Sequence, residues 1–343
     1  MITWSDAHRR AAVLAAQFHA DLDIELRRPV DVFAAVQRLG LVLAFVPLGK
    51  VSGLYLPGGG ASGVLIHAGH PRTKQRYTAG HELGHHAFGH TAEVDGDLEL
   101  GLRRDANRWP DHEKEAEAFG AWFLMPRRLL REGLRQLQID TPTSPGDVYS
   151  LALWLGTSYT ATARQLGATR IVEASQAEQW ARIEPRTIKL ALAAGYAPDD
   201  LQNDVRWLDH ASNRHPVDVR PGDRLVLTLD EIPSSGHSWR FSELPEGFVV
   251  LADSYDDHWE PRLPHESPTD QDSSRDEIAG DSSPRSFAID ITPAVLGGIY
   301  PLMLVKDRPW TSDDPINEFE VLVSVHPRLH GVQLTEAELL TTA

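Results

Sequence analysis

The chain has 343 residues, which is more than one ordinary hydrophobic core accommodates and predicts two or three domains. Its formal net charge of −16 repels a phosphate backbone, which argues against nucleic acid as the default partner. The absence of cysteine excludes disulfides, thiolate metal ligands and a cysteine nucleophile, so any metal must be held by His, Asp or Glu.

The N-terminal sequence shows no basic segment followed by an apolar run, which is the pattern of a signal peptide. No apolar stretch approaches the roughly 18 residues that a membrane span requires. We therefore expect a cytoplasmic protein with no membrane association.

The first half of the chain is predicted to be helical with a small sheet. Helices are predicted over residues 5–20, 29–39, 77–90 and 111–124, strands over 41–46, 51–55 and 62–67, and a helical hairpin over 151–166. Further helices are expected up to about residue 200. From about 216 the apolar residues alternate as in strands, and the acidic, Ser- and Pro-rich segment between Asp253 and Arg285 predicts a long mobile loop.

These patterns give an α+β fold class and three predicted domains. A mostly helical domain covers residues 1–140, a second helical domain covers residues 141–205, and an all-β domain covers residues 216–331. Strands are expected near Val217–Leu229, Phe248–Leu251, Phe287–Ile291, Tyr300–Val305 and Phe319–Val325.

A histidine pair lies in the third predicted helix, in the segment His81-Glu82-Leu83-Gly84-His85. Residues four apart on an α-helix share one face, so both imidazoles can bind one metal ion, with Glu82 close to a water molecule on that metal. A zinc ion lowers the pKa of such a water to about 7, and the carboxylate removes its proton. The spacing predicts His81 and His85 as zinc ligands and Glu82 as the catalytic base of a peptidase.

A third zinc ligand is expected from the fourth predicted helix. Glu113 and Glu117 lie on a helical stripe that also carries the apolar Leu124. Carboxylates on such a stripe need a reason for burial, which a metal and its hydrogen-bonding partners supply. We predict Glu113 as the ligand and Glu117 as a hydrogen-bond partner of a ligand histidine, with Glu115 as the alternative ligand.

Two points stay open in this region. The glutamates could be ordinary exposed helix residues. The oxyanion that forms during peptide hydrolysis could be stabilised by one of three further histidines, and the sequence does not distinguish His86, His90 and His112.

The histidine motif and the glutamate motif together resemble the ImmA/IrrE family of metallopeptidases. The matching segments are residues 76–85 and residues 113–126, and the resemblance extends over about residues 8–205. Glu113 matches the Glu of the family pattern Glu-x-x-Ala-(Asn/Asp)-x-Phe-Ala, whereas Glu117 replaces the Asn or Asp.

This resemblance implies a gluzincin-like core, a zinc ion, and regulated cleavage of a transcriptional repressor or antitoxin in a stress response. It also implies a helix-turn-helix-like character for residues 141–205. The acidic composition favours a packing role for that segment, so direct DNA binding is not expected.

Two loops of the β-rich region carry a second resemblance. The segment Pro233-Ser234-Ser235-Gly236-His237-Ser238-Trp239 resembles a Pro-Thr-Thr-Gly-Tyr-x-Trp loop, and Arg308-Pro309-Trp310 matches an Arg-Pro-Trp loop. Both loops belong to the chagasin-like inhibitors of papain-type cysteine peptidases, and residues 216–331 are similar to that family. The resemblance implies an Ig-like β-sandwich whose loops enter a peptidase cleft. The candidate partner-binding residues are Ser234, Ser235, Gly236, His237, Trp239, Arg308, Pro309 and Trp310.

The sequence departs from the inhibitor pattern, because serines replace both threonines and His237 replaces an aromatic residue. A third loop would fall in the acidic segment before Phe287, where no glycine-rich match is found. Trp239 and Trp310 could instead be core residues. We therefore predict a zinc peptidase with a β-domain for substrate selection or regulation. The alternative is a protein-binding or peptidase-inhibiting module in which the metal site is regulatory or weakly active.

Overall fold

The computed structural model describes residues 1–58, 62–91, 109–193, 202–255, 283–310 and 314–326, together with 195, 196, 198 and 200. The chain is a mixed α+β protein and divides into two compact units, Met1–Arg182 and Ile183–Arg328. The first unit contains the histidine motif, and the second contains two four-stranded sheets. Among the helices of the described ranges, none is long and apolar enough to cross a bilayer.

The first unit combines helices with a small sheet. Its elements are α1 (Trp4–Asp21), α2 (Val32–Arg38), β1 (Val42–Val46), β2 (Gly53–Leu56), β3 (Gly63–His67), α3 (Arg72–Phe88), α4 (Asp111–Leu124), α5 (Arg127–Gln136), α6 (Pro145–Leu155), α7 (Tyr159–Ala168) and α8 (Ala174–Ala181). The strand order is β1-β3-β2, in which β1 is parallel and β2 antiparallel to β3. Strand β2 is therefore an edge strand of this sheet.

Local signals in the sequence set the ends of these helices. Helix α1 starts after Thr3, whose side chain accepts the backbone N–H of Asp6 while the Asp6 side chain accepts the Thr3 backbone N–H. Helix α2 starts after Asp31, whose carboxylate accepts two backbone N–H groups of the first turn. Helix α3 ends at Gly89, which has a left-handed backbone with φ 68°.

Helices α3 and α4 pack at unusually close range because small residues lie where they meet. A Cβ atom added to Gly84 would lie 2.8 Å from both Cα and the carbonyl oxygen of Ala116. A Cβ atom added to Gly120 would lie 3.0 Å from the backbone nitrogen of His81. This contact brings the glutamates of α4 next to the histidines of α3, and Phe119 is fully buried beside it.

A partly buried arginine, Arg76, connects α3 to the end of α6. The Arg76 guanidinium donates hydrogen bonds to the carbonyl oxygens of Gly156 (3.2 Å), Val30 (2.9 Å) and Leu155 (3.3 Å). Burial lowers the pKa of Arg76 to about 10. The carbonyls at the C-terminal end of α6 and in the loop before α2 therefore share one cation, which comes from α3.

In the residues that the structure describes, the second unit consists of one α-helix, two short 3-10 helices (His210–Ser212 and Pro233–Ser235) and two sheets. Its elements are α9 (Pro185–Leu192), β4 (Val205–Leu208), β5 (Val217–Val219), β6 (Arg224–Glu231), β7 (Ser238–Glu243), β8 (Phe248–Tyr255), β9 (Ser283–Ile291), β10 (Gly298–Asp307) and β11 (Asn317–Val325). The sheets have the strand orders β5-β11-β10-β7 and β4-β6-β9-β8. Apolar residues of both sheets form one shared core, which includes Leu227, Trp239, Phe287, Leu304 and Phe319.

The predicted elements and the observed ones differ at a few places. Helix α3 begins at Arg72, ahead of the predicted start at 77, because Pro71 has the backbone geometry that precedes a helix. Strand β4 lies before residue 216 and pairs parallel with β6, and it is too short to show an alternation pattern. Of the predicted mobile loop, residues 256–282 lie outside the described residues.

Candidate metal centre

The side chains of His81, His85 and Glu113 converge on one point between α3 and α4. The Nε2 atoms of the two histidines are 3.1 Å apart. The carboxylate of Glu113 lies 3.3 Å from His81 Nε2 through Oε2 and 3.6 Å from His85 Nε2 through Oε1. One potential ligand atom from each of the three residues lies within 4.8 Å of the others.

The chemistry of these three donors fits a divalent metal ion. Two imidazole nitrogens and one carboxylate oxygen are a common zinc ligand set, and sites with three protein ligands keep a fourth position open. Glu113 is only 5% exposed, and within the described chain its Oε2 atom has no hydrogen-bond partner of good geometry. A buried carboxylate oxygen without a partner is costly, and a bound cation would remove that cost.

The charges around His81 also favour a cation at this point. Burial opposes protonation of His81, but the neighbouring carboxylates of Glu113 and Glu117 outweigh it and raise its pKa to about 10. Burial lowers the pKa of His85 to about 3, which keeps that imidazole neutral. The carboxylates around His81 therefore favour positive charge at this point.

Glu82 lies beside this centre and is 7% exposed. The backbone of Tyr55 on strand β2 hydrogen-bonds to its carboxylate. Burial raises the pKa of Glu82 to about 7. A Cβ atom on Gly53 would overlap the Thr78 methyl group and lie 2.9 Å from Glu82 Oε1, so the glycine leaves the space that the carboxylate occupies.

A second glutamate of α4 contacts His81 on the side away from Glu113. The His81 ring donates from Nδ1 to Glu117 Oε2 at 3.3 Å, and the hydroxyl of Tyr77 donates to Glu117 Oε1 at 2.8 Å. This is the geometry in which a carboxylate orients a metal-binding imidazole. The structure brings all five predicted residues together: His81, Glu82, His85, Glu113 and Glu117.

Glu115 is the alternative ligand in the sequence analysis, and it lies elsewhere in the site. Its Oε2 atom is 3.2 Å from His90 Nε2, and its other oxygen pairs with Arg10 of α1. His90 Nδ1 lies 3.0 Å from His85 Nδ1. Sequence reasoning missed this contact, although the Gly89-His90 pair after α3 is a detectable signal that the chain turns back there.

His112 and His86, the other two candidates for stabilising the oxyanion, also lie near the centre. The ring of His112 is 6.1 Å from that of His85, and His112 Nε2 is 3.5 Å from Glu113 Oε1. His86 Nδ1 lies 3.1 Å from the hydroxyl oxygen of Tyr55. Which of these groups faces a reacting carbonyl depends on the position of a substrate.

In the second unit the two predicted loops lie at the same end of a sheet. Strand β10 pairs with β7 so that Asp307 lies opposite Ser238, and this register places residues 308–310 beside residues 233–237. The side chain of Trp310 is 72% exposed and covers Gly236, where an added Cβ atom would lie 3.0 Å from the indole ring. Arg308 donates a hydrogen bond to the carbonyl oxygen of Ser235 at 3.4 Å.

The two tryptophans that the sequence leaves open have different environments. Trp239 is 1% exposed and belongs to the core, and its indole N–H donates to the carbonyl oxygen of Asp230 at 3.1 Å. Trp310 and Pro309 are exposed. The third loop is expected in the acidic segment before Phe287, of which residues 256–282 lie outside the described residues.

Comparisons with solved structures find a cysteine protease inhibitor and two further proteins. The chain is similar to the inhibitor EhICP2 from Entamoeba histolytica with 15% identity and a TM-score of 0.27, covering 37% of this chain and all of that one. It is also similar to amebosin (20% identity, TM-score 0.26, 36% of this chain and 98% of that one). A third similar structure is PbICP-C in complex with falcipain-2 (14% identity, TM-score 0.20, 36% of this chain and 91% of that one).

The comparison with curated protein sequences gives no match. A family model described as the IrrE N-terminal-like domain, Peptidase_M78, matches residues 36–166. This range contains the histidine motif of α3 and the glutamate motif of α4. The resemblance to the ImmA/IrrE metallopeptidases is therefore confirmed over residues 36–166, the range that matches the IrrE N-terminal-like domain.

Proposed function

We propose that the chain is a zinc-dependent endopeptidase whose catalytic domain covers residues 1–140 and has a gluzincin-like core. The observation that carries the proposal is the convergence of His81, His85 and Glu113 beside the buried carboxylate of Glu82. The peptidase family of residues 36–166 supports the same chemistry. In this proposal residues 141–205 form a helix-turn-helix-like packing domain, and residues 216–331 form an Ig-like β-sandwich.

His81 Nε2, His85 Nε2 and one Glu113 oxygen would hold the zinc ion. When bound, zinc acidifies a water molecule and polarises the carbonyl group of the peptide bond. The chain's own residues orient these ligands: Glu117 accepts the Nδ1 proton of His81 and thereby leaves Nε2 of that ring available as a donor atom.

Glu82 acts as the general base in this proposal. Burial raises the pKa of Glu82, which makes its carboxylate a stronger base towards the attacking water. The same carboxylic acid then delivers that proton to the nitrogen of the leaving amine. The backbone of Tyr55 holds the carboxylate in place through both transfers.

The proposed substrate is a transcriptional repressor or an antitoxin, and its support is the resemblance to the ImmA/IrrE family. The proposed role of the β-domain is substrate selection or regulation. Repressors and antitoxins encoded beside the gene for this chain are the first substrates to screen, with cleavage followed by mass spectrometry of the products.

The test of the activity is the variant Glu82→Gln. General-base catalysis contributes about 10²–10⁴-fold to a rate, so we expect cleavage to fall by that factor while bound zinc stays at the wild-type amount. Glu132→Gln is the matched control, because Glu132 is a glutamate of α5 that pairs with Arg135 away from the centre. Undiminished cleavage by Glu82→Gln would overturn the proposal.

A second candidate function is the binding of a papain-type cysteine peptidase by the β-domain. The observation that favours it is Trp310, an exposed indole placed over Gly236 beside the loop of residues 233–237. Exposed aromatic residues on a rigid loop are typical anchors of protein interfaces.

Papain itself is the probe for this second function. The full chain carrying Glu82→Gln, which suppresses its own proteolysis, should inhibit papain, and adding Trp310→Ala should weaken inhibition at least tenfold, as expected for an interface anchor. Adding Leu296→Ala is the matched control, because Leu296 is equally exposed (77%) in the loop before β10. Absence of papain inhibition at micromolar concentrations would remove this candidate.

A further inference from the structure

A chain of polar side chains leads from the metal centre to the surface of the first unit. It runs from His85 Nδ1 to His90 Nδ1 (3.0 Å), from His90 Nε2 to Glu115 Oε2 (3.2 Å), and from the other Glu115 oxygen to Arg10. His90 and Glu115 are on different sides of the 92–108 segment, and Arg10 comes from α1. Three separate parts of the sequence therefore meet behind His85.

The end of α3 explains how His90 reaches this position. Gly89 has a φ of 68°, and the backbone N–H of His90 donates to the carbonyl oxygen of His85 at 2.9 Å. This left-handed turn folds residue 90 back over the last turn of the helix. The ring of Phe88 lies parallel to that of His90 with centroids 5.6 Å apart, and Arg10 lies over the Phe88 ring at 5.7 Å.

When Nε2 of His85 is a metal ligand, only one arrangement of protons satisfies both contacts of His90, those with His85 and Glu115. His85 then carries its proton on Nδ1 and donates it to His90 Nδ1, which has to be an acceptor. His90 therefore carries its own proton on Nε2 and donates it to Glu115. The Glu115 carboxylate accepts that bond and is balanced by the Arg10 guanidinium.

We propose that His90, Glu115 and Arg10 form a positioning relay for His85, which fixes the tautomer and the ring orientation of this metal ligand. This inference rests on the proposed zinc site and adds to it a set of residues that touch neither metal nor substrate. His81 has the corresponding partners Glu117 and Tyr77. Each ligand histidine is thus oriented by its own carboxylate, and that of His85 acts through a second imidazole.

The test is the Zn²⁺ affinity of the full chain, measured by competition with a chelating dye. His90→Leu removes the acceptor for His85 Nδ1–H, so we expect affinity to fall about 10–100-fold, the usual effect of losing such a partner. His90→Asn places its Oδ1 atom where Nδ1 of the imidazole lies, and it should restore most of the affinity. His70→Leu is the matched control, since its ring contacts His67 and Lys74 at the start of α3.

The Co²⁺-substituted protein gives a readout that a merely structural role would not change. His90→Leu should shift the visible absorption bands of Co²⁺, while the metal-free chain keeps its wild-type melting temperature. Glu115→Ala and Arg10→Ala should lower Zn²⁺ affinity by successively smaller factors, because each is one step further from His85.

The outcomes separate this inference from the proposed function. If the wild-type chain binds no Zn²⁺, the zinc site fails and the relay with it. If the wild-type chain binds Zn²⁺ and both His90→Leu and Glu115→Ala bind it equally well with unchanged Co²⁺ bands, the relay is wrong and the zinc peptidase stands. A drop in melting temperature alone, with affinity unchanged, would also overturn the relay.

Discussion

Glu113 in the first unit and Glu231 in the second are both buried glutamates, with 5% and 1% of their surface exposed. Glu231 has a complete set of protein partners: it accepts from the Trp239 backbone N–H at 2.8 Å, from Arg285 at 3.2 Å, and from the Tyr255 hydroxyl. Glu113 faces two imidazole nitrogens instead, and its Oε2 atom has no well-formed hydrogen bond within the described residues.

The difference shows how burial alone fails to identify a functional carboxylate. When the fold itself supplies every partner of a buried carboxylate, removing that carboxylate destabilises the fold. Such a carboxylate has no oxygen left to bind a ligand. A buried carboxylate oxygen that points at other ligand-type atoms is satisfied only when something else binds. We therefore assign Glu231 to the stability of the β-domain and Glu113 to the metal centre.

The largest effect is expected from removing Glu113. Glu113→Ala leaves only two protein ligands, so Zn²⁺ affinity should fall by more than the roughly 100-fold that loss of an orienting residue costs. Isothermal titration calorimetry checks this. Wild-type affinity in this variant would contradict the ligand assignment.

Removing Glu231 should lower the stability of the protein and leave its Zn²⁺ affinity unchanged. Glu231→Ala leaves the partly buried Arg285 and the buried backbone N–H of Trp239 with fewer partners, so the free energy of unfolding should fall by about 3 kcal/mol. Urea unfolding followed by circular dichroism measures this loss. Zn²⁺ affinity should stay at the wild-type value, and a parallel loss of affinity would erase the distinction between the two glutamates.

A packing change tests whether the close approach of α3 and α4 positions the ligands. Gly84→Ala forces a Cβ atom against the backbone of Ala116, which should cost about 1–3 kcal/mol of stability and weaken Zn²⁺ binding. Gly133→Ala is the matched control, because its Cβ atom would lie 2.6 Å from the Trp154 side chain, away from the centre. Equal Zn²⁺ affinity in the two variants would argue against this positioning role.

The smallest effect concerns an exposed ion pair of the second unit. His326 Nε2 lies 2.8 Å from Asp218 Oδ1, and this hydrogen bond raises the pKa of His326 above its usual 6.5. A raised pKa gives stability that is complete below pH 6.5 and is lost as the pH rises through the higher value. Both side chains are more than half exposed, so the contribution is below about 1 kcal/mol.

Histidine titration by NMR checks this pair, because Asp218→Asn should return the pKa of His326 towards 6.5. An unchanged titration curve in that variant would show that the contact has no electrostatic effect in solution.

The residues of the metal centre can be predicted from the sequence where helical periodicity sets the direction of their side chains. The four-residue spacing of His81 and His85 places both rings on one face, and the stripe on α4 places Glu113 and Glu117 towards α3. The role of Glu115 could not be predicted, because it depends on the left-handed turn at Gly89 and on Arg10, which belongs to a distant helix.

The same limit applies to the second unit. Alternating apolar residues predict most of its strands, but β4 has only four residues and is recognised by its pairing with β6. Trp239 is buried because it lies on β7, which pairs with β10, whereas Trp310 follows the end of β10 and is exposed. Patterns within one element are readable from sequence, whereas contacts between distant elements are not.

The central claim is that two imidazoles and one carboxylate of this chain hold a single zinc ion. The most direct measurement is zinc K-edge X-ray absorption on the full chain, with the metal content determined on the same sample. The account predicts one zinc per chain with two nitrogen ligands from imidazole and the remaining ligands oxygen, and loss of that signal in His85→Ala. A wild-type chain without bound zinc, or an unchanged spectrum in His85→Ala, would contradict it.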